Sequence, residues 1–369
     1  MMKTIVVSAV NIRQGGTLTI LRDCLKYLSE ELIPSQNYRV VALVHKKELC
    51  FYPNIEYLEF PWTVKSWINR LWCEYVTLNG ISKELSPVYL WLSLHDTTPK
   101  VKAERRAVYC QTSFPFMDWK FRDFKYNYKI PLFAIFTKYI YRTNIHKNNF
   151  LIMQQNWLRE GFIRMFSVDK NKIIVAPPSK ENTNFTIQKF PERCKSFLYV
   201  AIADNHKNFE VLCKASELLE KEIGENKFKV TLTLKGNENK YAQMLYGKWK
   251  SVNSIHFAGY MSKDELFSNY EQADCLIFPS RIETWGLPIS EFMAYNKPML
   301  LADLLYAHET STGSSYTAFF HPYDAEELKN KMKSLINGDY SDLKPIEKKS
   351  TEYPFANNWK ELFQILLEK

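Results

Sequence analysis

The sequence predicts an α/β protein built from two doubly wound, Rossmann-like domains. Its 369 residues are enough for two hydrophobic cores. A strand, a polar turn and a helix open the chain at 5–29, and the same order returns at 197–222. This order is how a doubly wound sheet begins. Between the two lies the stretch 179–195, which lacks hydrophobic periodicity and reads as an interdomain linker.

Composition is that of an ordinary globular protein, with 46% hydrophobic and 24% charged residues. No run approaches eighteen apolar residues, so we expect no transmembrane helix. The first residues form a strand pattern without a small-residue cleavage site, and we therefore expect no signal peptide. The seven cysteines are scattered without a C-x-x-C pair, which favours a reduced, cytosolic protein with no zinc site.

The first predicted domain spans 1–178. Its helix 18–29 carries leucines on one face, and Thr17 is the expected N-cap. Asn156 is expected to cap a second helix, 157–165. The pattern predicts a further helix at 66–79, and strands at 5–10, 38–44, 54–60, 87–94, 107–110, 150–155 and 172–176.

The second predicted domain spans 196–345 and is followed by a C-terminal segment, 346–369. Ser262 and Glu265 form a capping-box pattern at the start of the helix 262–272. Asp324 is the expected cap of a helix ending near 336, and 359–367 is amphipathic. Predicted strands lie at 197–201, 229–234, 255–257, 275–278 and 299–302.

The most informative stretch is CLIFPSRIETWGLPISEFMAYNKPML, which begins at Cys275. An apolar strand leads into a polar turn, and Pro288 then opens a helix. A helix beginning there offers free N–H groups to a phosphate, and Gly286 lets a ligand approach the backbone closely. Glu283 precedes the helix and Glu291 lies one turn inside it. Two such glutamates, taken alone, are more often merely solvated.

The longer stretch PSRIETWGLPISEFMAYNKPMLLAD resembles the signature of retaining GT-B glycosyltransferases, the glycosyl transferases group 1, and among them glycosyltransferase family 4. The pattern is Pro-Ser, a Glu, Gly-Leu-Pro, a second Glu eight residues after the first, and a strand ending in Asp. The resemblance implies two Rossmann-like domains that face each other across a crevice. It also implies that the C-terminal helix packs back on the N-terminal domain.

The resemblance further implies which residues bind and react. Glu283 and Lys207 are the expected catalytic residues, since Lys207-Asn208 matches the Lys-Asn of the family. Ile202 stands where relatives have an arginine, so we expect Asn205, His206 or Arg281 to compensate. A solvated lysine at a helix start is the alternative for Lys207. The expected donor-binding residues are Gly16, Asn205, His206, Gly259, Tyr260, Arg281, Thr284, Trp285, Gly286, Leu287 and Glu291.

On the acceptor side the resemblance points to Gln111, at a position where many relatives have histidine. A glutamine can bond a sugar hydroxyl but cannot act as a general base near neutral pH. His95 is a further acceptor-side candidate, although a lone loop histidine is more often solvated. The Gly16 loop lies against the donor or the acceptor in the family. The alternative for this loop is a plain tight turn.

Positive charge is concentrated in 101–150, which holds ten basic and three acidic residues, a net charge of +7. Within 114–142 aromatic and basic residues alternate, which suits an anionic membrane surface. The equally weighted alternative is a helix pair whose aromatic residues are core.

The sequence thus predicts a retaining glycosyltransferase that moves a sugar from a UDP- or GDP-sugar to a saccharide acceptor. The acceptor is expected to be lipid-linked, as in the synthesis of capsule, O-antigen or a similar surface polysaccharide. The protein would be cytoplasmic and peripheral on the inner face of the plasma membrane. No metal and no cofactor beyond the nucleotide sugar is expected, because no D-x-D motif is present.

Two other functions remain open at this stage. A nucleotide-sugar epimerase of the same two-domain shape needs acid and base carboxylates but no acceptor surface. A nucleic-acid-binding protein is suggested by the net charge of +9 alone. Such a protein would need a recognisable nucleic-acid-binding module, and we find none in the sequence.

Overall fold

The computed structural model describes residues 2–117, 119, 124, 129–178, 190–348 and 350–368. The chain divides into two units. The first comprises Met1–Pro115, Phe136–Ser179 and Thr351–Lys369, and the second comprises Phe116–Ile135 and Lys180–Ser350. Among the described residues, no helix combines the length and apolar character that crossing a membrane requires.

The first unit contains a seven-stranded parallel sheet in the order β3-β2-β1-β4-β5-β6-β7. Its strands are β1 (Lys3–Ala9), β2 (Tyr38–Val44), β3 (Glu56–Glu59), β4 (Val88–Ser93), β5 (Arg105–Cys110), β6 (Phe150–Met153) and β7 (Ile173–Val175). Each strand that the sequence pattern predicted in this part of the chain is present. Successive residues of β1 point to opposite faces, and Ile5 and Val6 join different buried clusters. Both faces of the sheet are therefore covered, as a parallel sheet requires.

The helices of this unit differ from the prediction mainly at their starts. The first begins at Gly15, with Gln14 as N-cap, so the prediction of Thr17 as the cap is wrong. Gly15 has a φ of +69°, which lets the chain turn into the helix earlier, and the Thr17 hydroxyl instead donates to the Gln14 carbonyl at 3.1 Å. Asn156 is likewise the first helical residue, after the N-cap Gln155.

The helices described in this unit have the following bounds. The helices are Gly15–Tyr27, Trp67–Trp72, Leu78–Glu84, Lys129–Arg142 and Asn156–Phe166, with π-helical turns at Leu28–Leu32 and Cys73–Thr77 and a last turn at Ile33–Ser35. The predicted helix 66–79 therefore extends to Glu84. The division between the two units falls inside Lys129–Arg142.

The second unit contains a six-stranded parallel sheet in the order β10-β9-β8-β11-β12-β13. Its strands are β8 (Ser196–Tyr199), β9 (Lys229–Leu232), β10 (Ile255–Phe257), β11 (Cys275–Phe278), β12 (Met299–Ala302) and β13 (Thr317–Phe320). The strand order reverses between β8 and β11, which pair at Phe197 and Cys275. Ligands in open α/β sheets bind at the carboxyl ends of the strands flanking such a reversal. The doubly wound prediction is confirmed for both sheets.

Helices connect these strands. They are Phe209–Ile223, Lys240–Trp249, Lys263–Gln272, Leu287–Phe292, Leu305–Thr310 and Ala325–Ile336. The capping box of Ser262 and Glu265 is present, and Asp324 accepts from the Glu327 amide as the expected cap. The helix predicted from Pro288 ends at Phe292, and a 3₁₀ turn follows. Asn296 ends this turn in the left-handed conformation, before Lys297-Pro298.

The C-terminal helix, Trp359–Leu367, belongs to the first unit. Phe363 and Leu366 are fully buried in the cluster that also contains Leu21. Two hydrogen bonds fix the end of the helix to the sheet: the Tyr89 hydroxyl donates to the Leu367 carbonyl, and Arg105 donates to the Leu366 carbonyl. The last residues of the chain thus complete the core of its first unit.

Candidate functional site

Lys207 and Glu283 form an ion pair at the carboxyl ends of β8 and β11. Lys207 lies in a 3₁₀ turn before the helix Phe209–Ile223, and Glu283 lies in the loop after β11. Lys207 Nζ is 2.6 Å from Glu283 Oε1, and each side chain is 14% exposed. The structure thus brings together the two residues that the sequence predicted as catalytic, 76 positions apart.

The turn that carries Lys207 is held from both sides. The Tyr199 hydroxyl donates to the Lys207 carbonyl at 2.6 Å. Asn208 has a φ of +57°, and its buried amide donates to the carbonyls of Pro279 at 3.1 Å and Pro322 at 2.6 Å. Those prolines follow β11 and β13, so Asn208 ties three strand ends together. The sequence identified Asn208 only as part of a matching dipeptide.

Two buried phenols, which the sequence analysis missed, lie near Glu283. Burial raises the pKa of Tyr199 well above its usual value, and the Glu283 charge adds to this. The pKa of Tyr306 is raised for the same two reasons, and its hydroxyl donates to the Ser280 carbonyl at 2.6 Å. Both phenols therefore stay protonated and serve to position the loops. Tyr199 ends an apolar strand, and nothing local marks it as more than a core residue.

Arg281 lies against the turn that contains Asn205 and His206. Its backbone amide donates to the His206 carbonyl at 2.8 Å, and its guanidinium donates to the Asn205 carbonyl at 3.2 Å. Burial lowers the pKa of His206 well below its usual value, and the charges of Lys207 and Arg281 lower it further. His206 is therefore neutral at pH 7. Ile202, at the family arginine position, is 66% exposed, and Arg281 places a cation beside this turn in addition to Lys207.

The loop from Thr284 to Leu287 is fixed by its own polar groups. Gly286 has a φ of +88°, and a Cβ there would lie 3.2 Å from Ile289 Cδ1. The Trp285 indole donates to the Ser290 hydroxyl at 3.0 Å, and Thr310 donates to the Trp285 carbonyl. The helix that begins at Leu287 has only six residues. Because few peptide dipoles add up along it, we assign the positive charge of this site to Lys207 and Arg281.

Glu291 is positioned by a residue that the sequence analysis missed. Its Oε2 accepts a hydrogen bond from the Tyr270 hydroxyl at 2.7 Å. Tyr270 is fully buried and packs against the rings of Phe292 and Tyr295. Burial raises the pKa of Tyr270, and the Glu291 carboxylate raises it further. The phenol thus remains a donor and fixes the direction of the carboxylate.

Gly259 and Tyr260 follow β10, at the edge of the same sheet. Gly259 has a φ of +86°, and its amide donates to the Leu234 carbonyl at 3.2 Å. Tyr260 is almost fully exposed. Both lie at the carboxyl side of the sheet, two strands beyond β8. They are therefore separate from the Lys207–Glu283 pair, and their predicted role in donor binding stays a prediction.

The remaining candidates, Gly16, His95 and Gln111, belong to the first unit. Gly16 is exposed in the first helical turn. His95 is buried, with Nε2 2.8 Å from the Ser8 hydroxyl and Nδ1 3.1 Å from the Thr97 hydroxyl, so it is not a solvated loop histidine. The Gln111 side chain donates to the Leu94 carbonyl at 2.7 Å.

Beside them, Asp96 accepts from the Gln111 amide, and burial raises the pKa of Asp96 to about 6. Of the segment 114–142 predicted to meet a membrane, residues 118, 120–123 and 125–128 lie outside the described residues.

Comparison with known proteins connects this geometry to a family. Residues 180–352 match the family model described as glycosyl transferases group 1. The chain is 22% identical over 204 residues to the O-antigen chain mannosyltransferase RfbU of Salmonella typhimurium, covering 54% of this chain and 55% of that protein. It is 26% identical over 168 residues to the serotype-specific mannosyltransferase WbdA of Escherichia coli, covering 43% of this chain and 20% of that protein. The chain thus spans about half or less of these relatives.

Solved structures show the same fold. A glycosyltransferase from Rickettsia africae has a TM-score of 0.64 at 16% identity, covering 92% of this chain and 91% of its own. HepE of Anabaena, solved in complex with UDP and glucose, has a TM-score of 0.63 at 12% identity, covering 93% of this chain and 92% of its own. The predicted GT-B fold and the resemblance to glycosyl transferases group 1 are confirmed. The finer assignment to family 4 stays a prediction.

Proposed function

We propose that this chain, whose residues 180–352 belong to glycosyl transferases group 1, transfers a sugar from a nucleotide diphosphate sugar to a saccharide acceptor. The observation that carries the proposal is the 2.6 Å pair of Lys207 and Glu283 at the reversal point of the second sheet. A cation and a carboxylate held side by side can serve the two parts of such a donor. Lys207 binds the diphosphate, and Glu283 accepts hydrogen bonds from the sugar hydroxyls.

The surrounding residues extend this assignment. Arg281 supplies the second positive charge toward the diphosphate, since its guanidinium lies at the Asn205 carbonyl. His206 is neutral and contributes no charge. Glu291, oriented by Tyr270, accepts hydrogen bonds from the ribose hydroxyls. With two cations close to the leaving group, no metal ion is required to balance its charge.

We propose that the reaction retains the anomeric configuration. The bond between the anomeric carbon and the diphosphate oxygen breaks, and the acceptor oxygen bonds to the same face of that carbon. The acceptor proton passes to the departing phosphate oxygen. No side-chain base is needed on this route, so a glutamine at position 111 is compatible with it.

The relatives' names support a proposal about the acceptor and the setting. Both are mannosyltransferases, one of the O-antigen chain. We therefore propose a lipid-linked saccharide acceptor, a role in surface-polysaccharide synthesis, and mannose as the first sugar to test. An enzyme with such an acceptor would work at the inner face of the plasma membrane. The basic, aromatic segment 114–142 would face the anionic lipid there.

Incubation of the purified protein with GDP-mannose and a panel of UDP-sugars tests the proposal. We expect release of nucleoside diphosphate with at least one donor, increased by a saccharide acceptor, and a product whose anomeric configuration by NMR matches the donor. Lys207→Ala should abolish most of this release, whereas Lys250→Ala, at an exposed lysine of the same unit, should not. The proposal would be refuted if no nucleoside diphosphate were released with any donor and calorimetry detected no binding of UDP or GDP. Formation of an epimer of the donor would replace it with the epimerase alternative.

A further inference from the structure

The first sheet has its own reversal of strand order, between β1 and β4. Ser8 of β1 is in register with Ser93 of β4, and the two parallel strands end at the same edge of the sheet. Ligands of open α/β sheets bind at this edge, beside the reversal. The loops that follow the two strands carry Asn11 and Asp96, each three residues beyond the registered pair. These two polar side chains are therefore placed where a ligand of the first unit would bind.

Asp96 has a strained backbone. Its φ is +69°, and the Thr97 amide donates to the His95 carbonyl at 2.8 Å, so Asp96 is the central residue of a γ-turn of the rare, strained kind. Among the described non-glycine residues with positive φ, Asp96 is the only one that carries a carboxylate. Ser167 and Asn296 adopt this conformation where they end helical segments, but Asp96 follows a strand. Helix capping therefore does not explain the conformation of Asp96.

A buried polar network holds this turn in place. The Arg70 guanidinium donates to the His95 carbonyl at 2.7 Å and to the Glu74 carboxylate at 2.8 Å. The Thr97 hydroxyl donates to the same carboxylate, which is fully buried. The residues on both sides of Asp96 are thus fixed to one helical segment. Support of this kind is what a preorganised binding residue requires.

Asp96 is the part of this turn that reaches the surface. His95, Thr97 and Thr98 are each at most 3% exposed, whereas Asp96 is partly exposed. Its Oδ1 accepts from the Gln111 amide. Burial raises the pKa of Asp96 to about 6, so the side chain is mainly ionised at pH 7. The turn therefore presents a partly dehydrated carboxylate at the edge of the sheet.

Both features of Asp96 lower the stability of the fold. An unfavourable backbone conformation and the partial burial of a charge each reduce the free energy of unfolding. A glycine would remove the strain, and an asparagine would remove the charge. Strained and unfavourably buried groups concentrate at functional sites, where the ligand requires the geometry. The combination at Asp96 therefore indicates a role in binding.

Asn11 supplies a second polar group at the same reversal. Its Oδ1 is buried and makes no hydrogen bond with any residue that the structure describes. A buried oxygen without a donor is unfavourable, so this position accommodates a further hydrogen-bond donor. Asn11 and Asp96 both offer oxygen acceptors, which match a ligand rich in hydroxyl groups.

The two residues predicted on the acceptor side are engaged by the protein itself. His95 belongs to the buried network around Glu74. The Gln111 side chain donates to the Leu94 carbonyl at 2.7 Å, while the Gln111 amide donates to Asp96. Gln111 thus holds the loop after β4 at two points. The side chain left to contact a ligand is that of Asp96, between them.

We propose that Asp96 is an acceptor-binding residue, whose carboxylate accepts hydrogen bonds from hydroxyl groups of the saccharide acceptor. Hydroxyl groups are donors, and an ionised acceptor forms the stronger hydrogen bonds with them. The inference rests on the proposed transfer to a saccharide and names the residue of the first unit that binds it. It differs from the sequence prediction, in which His95 and Gln111 contact the acceptor directly.

Binding of saccharide probes to the full chain tests this assignment. The probes are the methyl glycosides of mannose, galactose and N-acetylglucosamine, titrated by saturation-transfer NMR. We expect at least one glycoside to bind the wild type, and Asp96→Asn to weaken that binding at least about tenfold. Urea unfolding checks that the variant is folded. Asp96→Gly, which keeps the turn without strain, should weaken the binding at least as much.

A matched control removes a carboxylate at the opposite edge of the same sheet. Glu104 is exposed and directly precedes β5, so Glu104→Gln should bind the glycosides like the wild type. Equal glycoside affinity in Asp96→Asn and the wild type would overturn the proposal. Absence of binding of every glycoside to the wild type would overturn it as well.

Calorimetry with UDP and GDP separates this proposal from the proposed transfer. Asp96→Asn should bind the nucleoside diphosphate as the wild type does, because Lys207 and Glu283 belong to the second unit. Nucleotide binding without glycoside binding would overturn the role of Asp96 and leave the donor assignment intact. Glycoside binding that depends on Asp96, in a chain that binds neither nucleotide, would support the saccharide site and refute the transfer reaction.

Discussion

The Tyr270 hydroxyl donates a hydrogen bond to the Glu291 carboxylate at 2.7 Å, from a helix that ends before β11 to the helix that follows it. Tyr270 is fully buried and its ring contacts those of Phe292 and Tyr295, so its hydroxyl cannot turn away from Glu291 without losing this partner. The pair gives Glu291 one fixed direction at the carboxyl side of the sheet. The role proposed for Glu291 can therefore be tested by changing Glu291 first and Tyr270 second.

Glu291→Ala should weaken binding of the donor nucleotide while the fold survives. Loss of a charged hydrogen bond to a ribose costs about 1.5–3 kcal/mol. Calorimetry with the free nucleoside diphosphate measures this directly, and circular dichroism checks the fold. Unchanged affinity would remove Glu291 from the site.

Tyr270→Phe should weaken the same binding by about fivefold, since it deletes one hydrogen bond and keeps the ring. In a Glu291→Ala background it should have no further effect on nucleotide affinity, because the two residues act as a unit. Tyr295→Phe is the matched control in the same ring cluster, where the hydroxyl donates to the Phe267 carbonyl at 3.4 Å. Additive effects of the Tyr270 and Glu291 changes would show that Tyr270 does not act through Glu291.

Lys207→Ala should lower turnover by about a hundredfold and change the apparent donor constant less. Negative charge on the leaving diphosphate grows in the transition state, so a fixed cation acts mainly there. Steady-state kinetics with the best donor separates the two parameters. A raised donor constant with intact turnover would assign Lys207 to ground-state binding instead.

Activity should be unaffected by excess EDTA. Lys207 and Arg281 place two positive charges near the proposed diphosphate position, so the leaving group has cationic partners from the protein itself. Nucleoside diphosphate release is measured before and after dialysis against the chelator. Activity that falls and then returns with Mg²⁺ or Mn²⁺ would contradict the metal-free mechanism.

Asp96→Asn should stabilise the protein at neutral pH. Burial raises the pKa of Asp96 from 3.8 to about 6, so the folded protein binds more protons than the unfolded chain between these values. The contribution of Asp96 to stability is therefore fully present below about pH 4 and is lost as the pH rises through 6. Asparagine keeps an oxygen for the Gln111 amide and tolerates the φ of +69° at this position.

The variant should exceed the wild type by at most about 3 kcal/mol at pH 7, and the difference should shrink toward zero near pH 4. Urea unfolding at both pH values measures it. An equal difference at the two values would show that the carboxyl does not titrate in this range.

The fold class and the motif around Glu283 and Glu291 could both be predicted from the sequence alone. Parallel strands buried on both faces read as apolar runs, and the turns between strand and helix carry glycine and polar residues, so both doubly wound halves could be predicted from local pattern. The capping box of Ser262 and Glu265 spans four residues and was equally visible. The motif around Glu283 and Glu291 is contiguous, and it placed both carboxylates without any knowledge of their partners.

Which side chains come into contact depends on the tertiary structure. Lys207 joins Glu283 because β8 and β11 are neighbours in the sheet, and Tyr270 joins Glu291 because their helices flank one strand. A helix at 66–79 was predicted, but its burial of Glu74 and exposure of Trp72 were not, since a sequence does not show which face of a helix packs against the sheet. His95 was predicted as an acceptor-side candidate with a solvated loop histidine as the alternative, and its burial could not be predicted for the same reason. Secondary structure follows from neighbours along the chain, whereas ion pairs, buried phenols and exposed apolar faces depend on residues that only folding brings together.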